Sequence, residues 1–330
     1  MPDISTYVIL LCLAAFVFDF LNGFHDAANS IATVVSTRVL RPIYAVVWAA
    51  FFNFVAVWFL GVKVADTVGK FIHPDAATNT VLLAALLGAI AWNLLTWWLG
   101  LPTSSSHALI GGLAGAAIVS AGVGSLVLNS LYKIALFIPL APIIGLILGV
   151  MMRTLVSWIF YRSSPKTTAT LFRRLQLVSA ALYSLGHGTN DAQKTMGVVA
   201  LILLKNGHLT QFAIPDWVKV AAGLAISLGT MSGGWRIVKT MGMKITKLQP
   251  VDGFCAETSA ALSLFGATAA GIPVSTTHTI TGAIVGVGST RRLSAVRWGV
   301  TISVVWAWVL TIPGSAAIAA LLQFVLQRFT

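Results

Sequence analysis

Long apolar segments recur along the whole chain and are separated by short polar segments. Four of them are Tyr7–Leu21, Ile43–Gly61, Val81–Gly100 and Lys133–Met152. Each approaches the roughly 20 residues that a helix needs to cross the hydrocarbon core of a bilayer. Their apolar residues are continuous and do not alternate with polar ones, which favours membrane helices over a transmembrane barrel. The pattern predicts an all-α integral membrane protein.

The composition supports the same class. The 330 residues are 57% hydrophobic and 9% charged, whereas soluble domains carry about 25% charged residues. A net charge of +12 would favour a nucleic-acid partner in a soluble protein, but here the Lys and Arg residues lie in short loops, where they set membrane orientation. We therefore expect contact with membrane lipid and no nucleic acid. Cys12 and Cys255 define no disulfide framework.

The distribution of basic residues predicts how the chain crosses the membrane. One crossing per apolar run gives ten spans, five in each half. If both termini lie outside, most Lys and Arg residues fall in inside loops, as the positive-inside rule requires. The segments after Pro102 and Pro273 are alternatively re-entrant hairpins, so the fold prediction is about 10 to 12 membrane segments including such hairpins.

Two motifs recur in the same order. The segment Asn22–Asn29 (NGFHDAAN) returns as His187–Lys194 (HGTNDAQK), and Leu101–His107 (LPTSSSH) returns as Ile272–His278 (IPVSTTH). Such repetition indicates an ancient duplication. Because five spans per half is an odd number, the second half is predicted to run through the membrane in the opposite sense.

The resulting organisation has three parts. Residues 1–152 form the first inverted repeat, residues 153–175 a basic cytoplasmic connector, and residues 176–330 the second inverted repeat. In transporters built from inverted repeats, the substrate lies near the middle of the membrane where the repeats meet.

Acidic residues inside apolar helices are costly and usually functional. Asp26 and Asp191 are two such residues, and nearby glycines such as Gly23 and Gly188 predict unwound backbone whose carbonyl groups can hold a cation. Such oxygen ligands suit Na⁺, a proton or a divalent metal, although no metal site is firmly predicted. Alternatively, Asp26 caps a helix that is broken at Gly23. The predicted cation-binding or coupling residues are Asp26, Asp191, Asn22 and Glu257, and the last has no counterpart in the first half.

The hydroxyl-rich motifs predict an anion site. In each motif a proline and then Ser or Thr residues precede a glycine-containing helix, which leaves backbone N–H groups unpaired at its partially positive end. The hydroxyls add donors that match the tetrahedral oxygens of phosphate; simple N-capping is the alternative for either copy alone. The predicted phosphate ligands are Thr103, Ser104, Ser105, Ser106, Ser275, Thr276 and Thr277. His107 and His278, which close the motifs, are expected to pack, to hold a hydroxyl or to relay a proton.

Electrostatics predict coupling to a cation. Moving an anion against an inside-negative potential costs about 2.3 kcal/mol per charge per 100 mV. Cations bound at Asp26 and Asp191 would cancel that cost. We therefore predict a secondary active importer that works by symport and alternating access, with no enzymatic activity and no cofactor other than the coupling cation, H⁺ or Na⁺.

The motifs resemble those of PiT-type inorganic phosphate transporters. The segment Asn22–Asn29 with Thr33 and Arg38 resembles the bacterial low-affinity Pit branch. Gly188–Asp191 resembles the second copy of the family's Gly-x-Asn-Asp signature, and Pro273–His278 is similar to its later hydroxyl-rich segment. The resemblance covers nearly the whole chain. It implies phosphate carried with Na⁺ or H⁺, an inverted fold with hairpins, a homodimer and a bacterial cytoplasmic (inner) membrane.

The resemblance also assigns two further residues, and the chain departs from the pattern at two others. Asn29 and Asn190 are implied to join the aspartates in binding phosphate and cation. His25 stands where the family pattern has Asn, and Lys194 stands where the first half has Asn29. A site supported by His25 and Lys194 is less suited to Na⁺. H⁺ is therefore favoured, and a metal–phosphate complex is a candidate cargo, as in the bacterial branch that the chain resembles.

Three other functions fit parts of the pattern. A carrier of another oxyanion such as sulfate would use the same donors, and a channel would use the same helices. An intramembrane hydrolase with Ser105 or Ser106 as nucleophile is disfavoured, because the chain lacks a Gly-x-Ser-x-Gly turn and a nucleophile needs no symmetry mate.

Overall fold

The structure is a computed structural model that describes residues 5–59 and 61–329, which are almost entirely helical. Met1, Leu60 and Thr330, on which parts of the span and terminus predictions rest, lie outside the described residues. The described helices are α1 Thr6–Ser36, α2 Pro42–Val55, α3 Lys63–Gly69, α4 Asn79–Leu99, α5 Ser105–Ala121, α6 Leu128–Ile159, α7 Pro165–Lys205, α8 Asp216–Ser232, α9 Trp235–Lys239, α10 Pro250–Ala269, α11 Thr276–Ser289 and α12 Trp298–Leu326.

Several of these helices have the length and composition of membrane spans. Among the described residues, α1, α4, α6 and α12 qualify, and α2 with α3 would make a fifth span with an 81° bend. Helix α7 is longer, with 41 residues, but the polar residues of the second motif interrupt its apolar sequence. Large apolar side chains such as Leu10, Phe51 and Trp98 are exposed on the outside of the molecule. The class of all-α, multi-pass membrane protein is confirmed.

Helices α4 and α5 form a hairpin and do not cross the molecule separately. Ile72, before α4, pairs with Leu126, after α5, so both outer ends lie side by side. Helices α10 and α11 do the same, because the backbone N–H of Arg297 donates to the carbonyl of Ile245 at 2.9 Å. The tips of the two pairs meet inside the protein, where Ser106 donates to the carbonyl of Val274, and this favours the hairpin alternative over ten separate crossings.

Glycines shape the tips of both hairpins. Gly100 follows α4 with φ of 68°, and Gly271 follows α10 with φ of 71°, a left-handed conformation that glycine adopts without strain. The next backbone N–H groups, of Leu101 and Ile272, donate back to carbonyls of the preceding helix at 2.9 Å. These are Schellman-type helix ends. A proline follows each of them, so the chain turns back at matching places in its two halves.

The two hairpins enter the molecule from opposite ends. Helix α7, about 60 Å long, connects these ends: near its start Arg173 donates to the carbonyl of Arg38 at 2.9 Å, and Asn206, just after it, pairs with Asn79 at the start of α4. The α10–α11 hairpin starts at the other end, where Asp252 binds Arg153 at 2.9 Å. Basic residues that were predicted to lie inside, such as Arg153, Arg173 and Arg291, are found at the end where α10 begins. Arg236 is an exception, because it donates to the carbonyl of Trp98 near the tip of α4.

The predicted connector, residues 153–175, is mostly helical. Helix α6 continues to Ile159 and α7 begins at Pro165, so only residues 160–164 lie between the two helices. The basic residues of this segment lie around the end of α6 and the start of α7, which are the two longest helices, outside the apolar parts of both.

Each hairpin packs through small residues against the last helix of the other half of the chain. Gly111 and Gly115 of α5 lie against backbone atoms of Ile312 and Ala316 in α12. Gly282 and Gly286 of α11 lie against the carbonyls of Pro142 and Leu146 in α6. In a membrane, close backbone approach through small residues is the main way that helices associate. The packing of α5 on α12 thus has a counterpart in the packing of α11 on α6.

We expect Gly282→Ala to lower the thermal stability of the protein. A Cβ at this position would overlap the carbonyl oxygen of Pro142, and such overpacking typically costs about 1–3 kcal/mol. The matched control is Gly266→Ala in α10, where an added Cβ meets no atom within 4 Å. Thermal unfolding in detergent should show a lower midpoint for Gly282→Ala only; equal midpoints would contradict the close contact.

The expected unwinding near the aspartates does not occur. Helices α1 and α7 run unbroken through Gly23 and Gly188. Their glycines instead allow close packing, because a Cβ at Gly23 would overlap the carbonyl of Ile226 in α8, and one at Gly188 would lie 2.6 Å from that of Asn53 in α2. The prediction of freed carbonyl groups is wrong. Since α1 is not broken at Gly23, the alternative role of Asp26 as a helix cap is excluded as well.

Candidate functional site

The tips of the two hairpins meet in the interior of the protein. The hydroxyl of Ser106 in α5 donates to the carbonyl of Val274, just before α11, at 3.4 Å. The rings of His107 and His278 contact each other edge to face, with centroids 4.6 Å apart. All four residues are buried. Two helix N-termini, each with a partial positive charge of about half a unit, therefore lie close together away from the surface.

Two of the predicted phosphate ligands act as helix caps. The hydroxyl of Ser104 accepts the N–H of His107 at 3.2 Å, and that of Ser275 accepts the N–H of His278 at the same distance. The capping alternative therefore holds for these two serines. Because each cap fixes the first turn of its helix, Ser104 and Ser275 hold the remaining N–H groups and hydroxyls in place.

The hydroxyls of α11 lie between the two aspartates. Thr276 Oγ1 donates to Asp191 Oδ2 at 3.2 Å and reaches Asp26 Oδ2 at 3.5 Å. Thr277 Oγ1 lies 3.4 Å from Asp26 Oδ1 and accepts Asn29 Nδ2 at 2.9 Å. All five residues are buried. The structure thus places predicted cation ligands and predicted phosphate ligands in direct contact.

His25 links Asp26 to the tip of the first hairpin. Its Nδ1 lies 2.9 Å from Asp26 Oδ1, and its Nε2 lies 3.2 Å from the hydroxyl of Thr96 and 3.3 Å from that of Thr103. Thr103 also donates to Thr96 at 2.9 Å. His25 therefore lies in contact with Asp26, and its supporting role stays a prediction, whereas the Thr103 hydroxyl is directed to Thr96 and His25.

His187 completes a cluster that the sequence analysis missed. One ligand atom each from Asp26, His187 and Asp191 lies within 4.8 Å of the others. His187 Nε2 is 3.2 Å from Asp191 Oδ2, and its Nδ1 is 3.2 Å from the side-chain oxygen of Asn53. Two carboxylates and an imidazole suit a divalent transition metal or a proton. The available signal was spacing, since positions four residues apart share one face of a helix.

Lys194 lies at the junction of the two tips. Its ammonium contacts Asp191 Oδ1 and the hydroxyl of Ser106, and it donates to the carbonyl of Val274 at 2.9 Å. The side chain is buried. A buried ammonium is tolerated only when it is paired and hydrogen-bonded, and here one carboxylate and two neutral oxygens satisfy it.

Some buried polar atoms at the tips have no hydrogen-bond partner among the described residues. They include the hydroxyl of Ser105 and the side-chain oxygens of Asn29 and Asn190. Asn190 uses its amide to bind Thr268 Oγ1 at 2.9 Å and the carbonyl of Ile272 at 3.3 Å. Because an unpaired buried polar group is costly, this concentration of free groups is typical of a ligand site.

Glu257 belongs to a separate buried network. Its carboxylate accepts the hydroxyls of Thr33 and Ser179, each at 2.5 Å, and the amide of Gln176 at 3.0 Å. Thr33 follows Asn29 by one helical turn on α1, which connects this network to the hairpin tips. The sequence pattern does not predict the three partners of Glu257.

The remaining predicted residues lie at the edge of the cluster. Asn22 is buried next to the carboxylate of Asp19. His278 stacks on Trp308, with ring centroids 4.0 Å apart. The two histidines that close the motifs thus contact each other and an aromatic ring, which supports the packing role.

The comparisons with known proteins point to one kind of protein. Residues 22–319 match the PHO4 phosphate transporter family. A probable low-affinity inorganic phosphate transporter of Rhizobium meliloti is 58% identical over 317 residues, which cover 96% of this chain and 95% of that protein. Its counterpart in Bacillus subtilis is 48% identical over 324 residues and 97% of each chain.

A solved structure has the same fold. The sodium-dependent phosphate transporter superposes on this chain with a TM-score of 0.90 at 26% sequence identity, covering 99% of this chain and all of the other.

Proposed function

The chain belongs to the PHO4 phosphate transporter family, and we propose that it imports inorganic phosphate by secondary active transport coupled to a cation. One observation carries the proposal: two helix N-termini meet in the interior, and the hydroxyls of one of them contact both Asp26 and Asp191. The relatives and the similar solved structure are named as phosphate transporters, so nothing favours the hydrolase alternative.

The anion would bind at the hairpin tips. The first-turn N–H groups of α5 and α11 face a shared buried region, and the Ser105 hydroxyl there is unpaired. Backbone N–H groups and hydroxyls neutralise an anion only partly, which allows release on the other side. The Thr276 and Thr277 hydroxyls, which donate to carboxylates in this structure, can rotate to donate to phosphate instead.

The coupling cation would bind at the carboxylates. Asp26 is hydrogen-bonded to His25, and ligand atoms of His187 and Asp191 lie within 4.8 Å of its carboxylate. Both an imidazole and a carboxylate can bind a proton, so we favour H⁺ over Na⁺ for this chain. The same cluster has the ligands to accept a divalent metal, which is consistent with a metal–phosphate complex as cargo.

Alternating access would follow from inverted repeats, residues 1–152 and 176–330, joined by the basic segment 153–175. The hairpins enter from opposite ends, and the packing of α5 on α12 mirrors that of α11 on α6, which supports this organisation. We place the basic end in the cytoplasm and both termini outside, in a bacterial cytoplasmic membrane, and we propose a homodimer in line with the family resemblance.

Uptake into proteoliposomes tests the proposal. Labelled phosphate should accumulate under an imposed proton gradient, and collapse of that gradient should stop accumulation. A sodium gradient alone should have less effect. Sulfate in tenfold excess should compete weakly; full competition by sulfate would favour the other oxyanion carrier. Saturable flux that needs a gradient also separates a carrier from a channel, and absence of phosphate flux would refute the function.

We expect the double variant Ser105→Ala/Thr276→Ala to bind phosphate more weakly. Each lost hydrogen bond to an anion is worth about 1.5 kcal/mol or more, so loss of both should raise the half-saturating phosphate concentration by roughly a hundredfold or more. The control is Ser303→Ala, whose exposed hydroxyl donates to the carbonyl of Val300 on α12. Unchanged affinity in the double variant would leave these hydroxyls with a structural role only.

A further inference from the structure

Lys194 places a positive charge where the first half of the chain has a neutral residue. It ends the motif His187–Lys194, at the position that Asn29 occupies in Asn22–Asn29. We propose that the Lys194 ammonium is a tethered substitute for a coupling cation, and that the position beside Asp191 Oδ1 therefore takes up no free ion during transport. The inference rests on the proposed function, because it specifies which cation positions are exchangeable.

The contacts of the ammonium are those that a bound alkali cation would make. Lys194 Nζ contacts one carboxylate oxygen of Asp191, one hydroxyl oxygen of Ser106 and the carbonyl oxygen of Val274. Carboxylate, hydroxyl and carbonyl oxygens are the hard ligands that Na⁺ requires. Three different structural elements supply them: α7, the start of α5 and the segment before α11. A cation at this position holds both hairpin tips to α7.

The corresponding position in the first half of the chain is occupied by Asn29. Asn29 carries no charge, and its amide donates to Thr277 and Thr276 at 2.9 and 3.4 Å. Asp26 therefore has His25 as its basic partner, whereas Asp191 has both His187 and Lys194. The second carboxylate oxygen of Asp191 faces Thr276 and His187. At these two aspartates, the position left for an exchangeable cation is the side shared by Asp26, His187 and Asp191 Oδ2.

The charges at the site give the consequence for transport. Two carboxylates and one fixed ammonium leave one negative charge for an exchangeable cation to neutralise, whereas two carboxylates alone would leave two. The wild-type protein should thus carry one cation fewer per phosphate than a protein with a neutral residue at position 194. The substitution Lys194→Asn should open the position to Na⁺.

Cation-dependent thermal stability tests this directly. Wild type, Lys194→Asn and Lys194→Arg are purified in detergent, and unfolding midpoints are compared in NaCl and in choline chloride at equal ionic strength and saturating phosphate. The wild type and Lys194→Arg, which keep the charge, should differ by less than about 1 °C between the salts. Lys194→Asn should be stabilised by Na⁺ by about 2–4 °C or more, and its uptake should become dependent on Na⁺.

Each outcome of these stability measurements supports or overturns the inference about Lys194. A folded Lys194→Asn protein with no response to Na⁺, Li⁺ or K⁺ would overturn the inference. If that variant does not fold in either salt, the wild type decides. Stabilisation by Na⁺ that persists in Asp26→Asn, which lacks the shared site, would show that a free ion binds beside Asp191 despite Lys194, and would overturn the inference. A response to Na⁺ that is absent, or that is lost in Asp26→Asn, supports the tethered ammonium. Phosphate uptake by the wild type is measured separately, so failure of the proposed function is distinguishable from failure of this inference.

Discussion

Asp26→Asn should reduce phosphate uptake by at least about a hundredfold while the protein remains folded in the membrane. Asparagine has the same size, so the packing of α1 is preserved. It removes the negative charge that His25 and the hydroxyls of Thr276 and Thr277 contact. Hydrogen bonds to a charged group are worth about 1.5–3 kcal/mol each, and with the charge the cation site itself is lost.

The measurement is initial uptake of labelled phosphate into proteoliposomes at matched protein density. Asp216→Asn is the control, because Asp216 is exposed at the start of α8 and pairs with Lys219 at 2.7 Å, where an ion pair contributes little. Wild-type uptake by Asp26→Asn would remove Asp26 from the coupling site.

Asp191→Asn should have the larger effect on stability. It leaves the Lys194 ammonium buried without a carboxylate partner, and breaking a buried ion pair in this way costs about 3–5 kcal/mol. We expect poor recovery of folded protein. The double variant Asp191→Asn/Lys194→Met removes both charges, so folding should largely return, but uptake should not, because the second carboxylate of the site is still missing.

Size-exclusion profiles and unfolding midpoints of the two variants provide the check. A single Asp191→Asn variant as stable as wild type would show that the ammonium is satisfied without Asp191. Restored uptake in the double variant would show that transport needs neither member of the pair.

The sequence predicted the composition of the site better than its architecture. The repeated motifs identified both aspartates and the hydroxyl-rich helix starts, because ionisable and hydroxyl groups stand out against an apolar background. It also placed His25 beside Asp26, since the two are adjacent in the chain. The positions of Thr276 and Thr277 between Asp26 and Asp191 follow from the hairpins, which a count of apolar runs does not distinguish from two crossings.

The predictions that differ from the structure, and the contacts that were not predicted, have physical causes. Gly23 was interpreted as a point of unwinding, but a glycine in an apolar helix serves equally for close contact, and only the neighbouring carbonyl of Ile226 decides between the two. The partners of Glu257 were missed because Thr33, Gln176 and Ser179 are single polar residues on different helices, with no shared pattern. The packing of α5 against α12 could not be predicted from the pattern of polar and apolar residues, because both sides of such a contact are apolar. The four-residue spacing of Gly111 and Gly115 was the available indication of a close helix contact.

The central claim is that the N-termini of α5 and α11 surround one phosphate next to Asp26 and Asp191. It is tested most directly by an electron cryomicroscopy map of the protein in lipid nanodiscs, recorded with saturating phosphate and again without it. The account predicts density for one tetrahedral ion within hydrogen-bond distance of Ser105 and Thr276, present only with phosphate. A phosphate-dependent density elsewhere, or none at these helix ends while uptake is intact, would contradict it.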